Sequence, residues 1–142
     1  MNIAIPWQCE KILKRFSEHG IDAYLVGGCV RDSLLGKEPK DWDICTAALP
    51  EQVITLFEDE KVILTGLKHG TVTVLIAGMP IEITTYRIDG EYEDNRRPKE
   101  VFFTDSLRED LSRRDFTINA LAYHPDKGVI DYFDGIGDLE RG

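Results

Sequence analysis

Asp41 and Asp43, on either side of Trp42, are the side chains in this sequence best placed to do chemistry. A strand is expected over 40–45. Successive side chains on a strand alternate faces, so the two carboxylates share one, with Cα atoms roughly 6.6 Å apart at ~3.3 Å per residue. Same-face carboxylates suit a hard cation such as Mg²⁺, which takes oxygen ligands and bridges to substrate phosphates. Trp42 and Ile44 make the strand half-buried, where uncompensated carboxylates are costly. A bound cation removes that cost. Upstream, an apolar run at 23–26 leads into Gly27-Gly28, then Val30-Arg31-Asp32. This reads as strand, tight turn and short helix. A glycine turn that opens a helix offers backbone N–H groups to an anion. A phosphate cradle beside a cation site points to phosphoryl or nucleotidyl transfer.

Two further groups join these. Glu82 interrupts the apolar alternation of Ile81-Glu82-Ile83-Thr84, and is expected as a third carboxylate from a neighbouring strand. An exposed glutamate on an antiparallel sheet is the plainer alternative. Arg113-Arg114-Asp115 precedes Phe116-Thr117-Ile118-Asn119. On a helix Asp115 and Asn119 stand at i and i+4 and share a face. That pair can bond ribose hydroxyls while an arginine answers a triphosphate. The alternative is a capping role for Asp115 with a surface ion pair.

The elements that must hold these residues follow from periodicity. An amphipathic helix is expected over 6–18, with Ile12, Leu13 and Phe16 inward and Gly20 as its stop. After the 23–26 strand come a helix over 28–35, a strand over 40–45, and a helix from Pro50 with Val53, Ile54, Leu56 and Phe57 inward. A short strand over 62–65 precedes a hairpin, 71–76 and 81–86, turning at Gly78-Met79-Pro80. Residues 87–104 break the pattern with dense charge of both signs, and so long a connection is usually functional or disordered. Helices are expected over 107–111 and 116–122, then a final strand over 129–133. The segment after Phe133 is expected to be loose.

At 142 residues, 42% hydrophobic and 30% charged, the chain is one globular domain by size. No apolar run reaches the ~20 residues of a membrane span, and no signal-peptide layout opens the chain, so a cytoplasmic address with no membrane partner is expected. Cys9, Cys29 and Cys45 form no C-x-x-C and read as buried free thiols. A net charge of −9 argues against a free-standing nucleic-acid binder, though not against nucleic acid as substrate.

Together the segments G-G-C-V-R-D-S-L-L-G at 27–36, D-W-D at 41–43, E-I-T-T-Y-R at 82–87, R-R-D-F-T-I-N-A at 113–120 and D-Y-F-D-G-I-G-D-L at 131–139 resemble a known family. It is the head (catalytic) domain of class II CCA-adding tRNA nucleotidyltransferases and of the bacterial poly(A) polymerases that share it. The resemblance implies an α+β, polymerase-β-like nucleotidyltransferase fold, a mixed twisted sheet with flanking helices. It implies transfer of CMP and AMP from CTP and ATP to the tRNA 3′ end. Asp41 and Asp43 would hold two Mg²⁺ ions in a two-metal mechanism and, with Glu82, be catalytic. Gly27, Gly28, Arg31, Asp32, Arg114, Asp115 and Asn119 would bind the nucleotide. The stretch 87–104 would be the loop that switches from C to A addition, and 131–139 an interdomain hinge. The whole of 1–142 would be a head domain truncated before the base-recognition and tRNA-binding regions. Poly(A) synthesis is the alternative on the same motifs, and a non-catalytic nucleotide-binding module is the alternative outside the class.

Overall fold

A seven-stranded sheet in the order β3-β4-β5-β2-β1-β8-β9 runs through the computed structural model, which describes residues 3–66, 69–89, 101–114 and 116–141. Its strands are β1 (Ala23–Val26), β2 (Trp42–Thr46), β3 (Lys61–Gly66), β4 (Thr71–Ile76), β5 (Met79–Thr85), β8 (Ala122–His124) and β9 (Gly128–Ile130). The pairing is antiparallel throughout except between β2 and β5, which run parallel. A separate two-stranded ribbon joins β6 (Arg87–Asp89) to β7 (Val101–Phe103).

Both faces of the sheet are covered. One packs on α1 (Trp7–Glu18), α2 (Gly28–Leu34) and α3 (Pro50–Leu56), with Ile12, Phe16, Leu25, Ile44, Val53, Phe57, Ile81 and Ile83 in a continuous apolar core. The other face carries a smaller cluster, in which Tyr24, Val26, Cys45 and Tyr86 meet Leu107 and Leu111 of α4 (Leu107–Ser112). Alternation along β2 therefore sends Trp42 and Ile44 into the large core and Asp43 with Cys45 to the other side. All three cysteines are buried free thiols, as expected. Burial first of all pushes the Cys9 and Cys29 thiols up, to about 12 and about 11.

Several expected boundaries move. The 71–76 hairpin turns at Ala77-Gly78, both with positive φ, and Met79 and Pro80 already belong to β5. That is a tight two-residue connection whose twist matches the strands. The helix expected over 116–122 is not formed. A single 3₁₀ turn (Thr117–Asn119) is followed by β8, where Tyr123 and Ala122 pair with Leu25 and Val26. Long-range pairing with β1 overrides local preference there. The last strand ends at Ile130 rather than Phe133. The segment expected to be loose forms α5 (Gly135–Arg141), whose first N–H groups, on Gly135 and Ile136, donate to the Asp131 carboxylate at 2.7 and 3.0 Å. Two glycines in Gly135-Ile136-Gly137 hide a helix that this cap makes stable. The ends of the 87–104 stretch are the β6–β7 ribbon, while 90–100 lie outside the described residues.

Candidate active site

The parallel register of β2 and β5 sets Asp43 directly beside Glu82, and the antiparallel register of β4 sets Thr73 on Glu82's other side. Residues in register on one face stand as neighbours. Asp41 lies one residue before β2 rather than within it, and is exposed. Its charge nevertheless reaches Asp43. The Asp43 carboxyl is pushed up to about 6 by burial first, then by the charge and hydrogen bond of Glu82 and the charge of Asp41, while Arg114 pulls it down. Three carboxylates thus meet one guanidinium, an excess of negative charge that a divalent cation would relieve. Among the described residues no three acidic, histidine or cysteine side chains form a ready-made metal cage.

The glycine turn faces this group. Gly27 takes φ +82° and ψ −140°, a conformation that favours glycine, and its N–H donates to the Leu121 carbonyl at 3.3 Å. A Cβ on Gly27 would stand 3.7 Å from Arg114 Nη1, and one on Gly28 3.3 Å from Arg31 Nη2. Two guanidiniums therefore flank the turn. Arg31 is held on both sides: Nη1 donates to Asn119 Oδ1 at 2.8 Å, and Nε to Asp32 Oδ1 at 3.1 Å. Asn119 ends the 3₁₀ turn rather than a helical turn, so its place follows from Arg31 and not from an i, i+4 face. Asp115 lies outside the described residues.

Asp110 is the residue that the sequence reading missed. It sits on α4 with 1% exposure. Its carboxylate accepts the Arg87 backbone N–H at 3.0 Å and stands 3.5 Å from Arg113 Nε and 3.6 Å from Arg114 Nη2. Its spacing to Arg113 and Arg114, i+3 and i+4, was the available signal.

Of the three carboxylates, only Asp41 borders a sizeable hollow. An open hollow of about 630 Å³ is lined by Asp41, Trp42, Lys37, Lys40, Ser33 and Pro80 among others. A second hollow of about 700 Å³, between α1 and α3, is lined by Arg15, His19, Gln52 and Asp59 and lies on the opposite side of the sheet from Asp43. Neither hollow is lined by Asp43 or Glu82.

A sequence model of the poly A polymerase head domain matches residues 23–142. The chain belongs to that family. Among curated relatives, the CCA-adding enzyme of Lactobacillus gasseri is 55% identical over 130 residues, covering 92% of this chain and 32% of that enzyme. The CCA-adding enzyme of Bacillus pumilus is also 55% identical over 130 residues, with the same coverage. Among solved structures, the Bacillus stearothermophilus CCA-adding enzyme in complex with CTP superposes with a TM-score of 0.84 at 44% identity, over 95% of this chain and 31% of that one. A tRNA nucleotidyltransferase complexed with a primer tRNA and an incoming ATP analogue superposes with a TM-score of 0.65 at 35% identity, over 89% of this chain and 36% of that one. The expected polymerase-β-like nucleotidyltransferase fold, a mixed sheet with flanking helices, is therefore the fold of this head domain. The chain spans about a third of the length of the curated relatives it matches.

Proposed function

We propose that this chain is the nucleotidyl-transfer head of a CCA-adding enzyme, which moves CMP and AMP from CTP and ATP onto the tRNA 3′ end. The observation that carries the reading is the register of Asp43 beside Glu82, with Asp41 adjacent and Arg114 between them and the Gly27 turn. The names of the relatives at 55% identity favour CCA addition over poly(A) synthesis on the same head. Base selection and the grip on tRNA would come from parts of the enzyme beyond this head. A cytoplasmic location accords with this reading, and no described helix is long and apolar enough to cross a membrane.

The 3′-oxygen of the primer attacks the α-phosphorus of the nucleotide, and pyrophosphate leaves. Mg²⁺ held by Asp41 and Asp43 would lower the pKa of that hydroxyl and stabilise the charge on the leaving group. The burial of Asp43 and the nearby charges of Glu82 and Asp41 are what a bound cation would relieve, which supports the fit of these residues to one. Glu82, in register with Asp43, would support the hydroxyl side or accept its proton. Gly27 and Gly28 keep the turn bare so that phosphate oxygens can approach, and Arg31 and Arg114 supply the positive charge. Asp32 and Asn119 fix the plane of Arg31 from two sides, and Asn119 and Asp115 are the ribose-side candidates. The protein's part is positioning and electrostatics.

The test is an assay of an enzyme carrying this head with tRNA lacking its 3′ end, labelled CTP and ATP, and Mg²⁺. Addition of two C and one A is expected. A long A tail from ATP alone would replace the reading with poly(A) synthesis, and no incorporation would sink both.

A further inference from the structure

Asp110 is an acidic side chain at 1% exposure, which proteins tolerate when its charge is matched. It is more than matched here. One carboxylate faces two guanidiniums, Arg113 at 3.5 Å and Arg114 at 3.6 Å, and also accepts the Arg87 backbone N–H at 3.0 Å. The arrangement is not a closed fork. Among the described residues Asp110 Oδ2 and the Nε atoms of Arg113 and Arg114 are buried without a hydrogen-bond partner. Charge rather than directed bonding holds the three groups together.

The surplus positive charge has a direction. Arg114 reaches Asp110 with Nη2 and the Gly27 turn with Nη1, 3.7 Å from where a Cβ would stand. One end of Arg114 is thus anchored in the protein interior and the other is presented to the cradle.

We propose that Asp110 is a positioning residue: its buried carboxylate sets the Arg114 guanidinium against the Gly27 turn for contact with the substrate's phosphates. This rests on the nucleotidyl-transfer reading of the site. Without the carboxylate, adjacent guanidiniums at 113 and 114 repel each other, and Arg114 loses the anchor that fixes its outer nitrogen. The carboxylate oxygen that accepts the Arg87 N–H also ties this anchor to the base of the β6–β7 ribbon. A salt bridge that only stabilised α4 would have no bearing on phosphate binding.

The experiment measures tripolyphosphate binding to the 142-residue chain by calorimetry, beside thermal melts. Asp110→Asn should weaken binding about tenfold, the scale of one charge-assisted contact. Arg114→Gln should do the same, and the double variant should be no weaker than Arg114→Gln alone, because both remove one interaction. Equal binding by wild type and Asp110→Asn overturns the proposal, as does an additive loss in the double variant. If Asp110→Asn does not fold, the charge-balanced pair Asp110→Asn with Arg113→Gln takes its place. It should bind about tenfold more weakly than Arg113→Gln alone, and equal binding by the two overturns the proposal. Failure of the wild-type chain to bind tripolyphosphate would instead count against the phosphate-site reading itself, and with it the proposal.

Discussion

The two halves of the candidate site are held in different ways. The carboxylate half, Asp43 and Glu82, is built into the parallel β2–β5 pair, whose alternate residues Ile44, Ile81 and Ile83 are fully buried in the large core. Its geometry is inherited from strand register, and a slip of one residue would turn every side chain to the wrong face. The arginine half, Arg31 and Arg114, is held by side-chain partners: Asn119 and Asp32 for one, Asp110 for the other. These come from α2, α4 and a single 3₁₀ turn. Core packing therefore sets the acidic half, while side-chain charge pairing sets the basic half.

The largest expected effect breaks the acidic half from beneath. Ile83→Ala empties a fully buried site under Glu82 and should destabilise the chain by about 2–5 kcal/mol, read by urea denaturation. A loss below ~1 kcal/mol would mean that register does not depend on this core. Next, Asp41→Ala or Asp43→Ala should leave the fold intact while lowering nucleotide incorporation by an enzyme carrying this head on the order of 10²–10³-fold. Turnover like wild type in either variant would end the cation reading.

The comparison sharpens at Gly27, where the basic half meets backbone. Gly27→Ala forces a Cβ into a backbone conformation that L-residues avoid, at a cost of roughly 1–2 kcal/mol. Triphosphate binding should weaken along with melting temperature, whereas an unchanged affinity would remove the turn from the site.

A smaller effect comes from the acidic half's own repulsion. Asp43 titrates near 6 in the folded chain against an ordinary 3.8. The folded state therefore holds this proton more tightly than the unfolded one, and stability falls as pH rises through that window. Asp43→Asn should melt higher than wild type at pH 7 in chelator, and the advantage should vanish towards pH 4. A pH-independent difference would show that charge is not the cause. The smallest expected effect is a near-absence of discrimination. On the proposed reading the described cradle groups address phosphate or ribose, so CTP, ATP, GTP and UTP should bind this chain within about threefold, under ~0.7 kcal/mol. A clear preference for CTP and ATP in calorimetry would place base reading inside these residues.

Much of this was legible in the sequence because it is local. Alternation across Trp42-Asp43-Ile44 separated the buried apolar side chains from Asp43, although Asp41 falls one residue before the strand, and Gly27-Gly28 after an apolar run marked the turn. The period of Ile12, Leu13 and Phe16 marked α1. Glu82 was readable as an interruption in an apolar strand, but its neighbour was not, since a parallel partner is separated in sequence and chosen by the packing of the whole sheet. The same holds for β8, where Ala122 and Tyr123 prefer the open edge of β1 to the helix their neighbours suggest. Asn119 meets Arg31 because the 3₁₀ turn that leads into β8 packs against α2. Residue types and short spacings thus determined the chemistry available to this chain. The tertiary fold decided which charges face one another, because electrostatic energy depends on distances that long-range strand pairing and burial alone set.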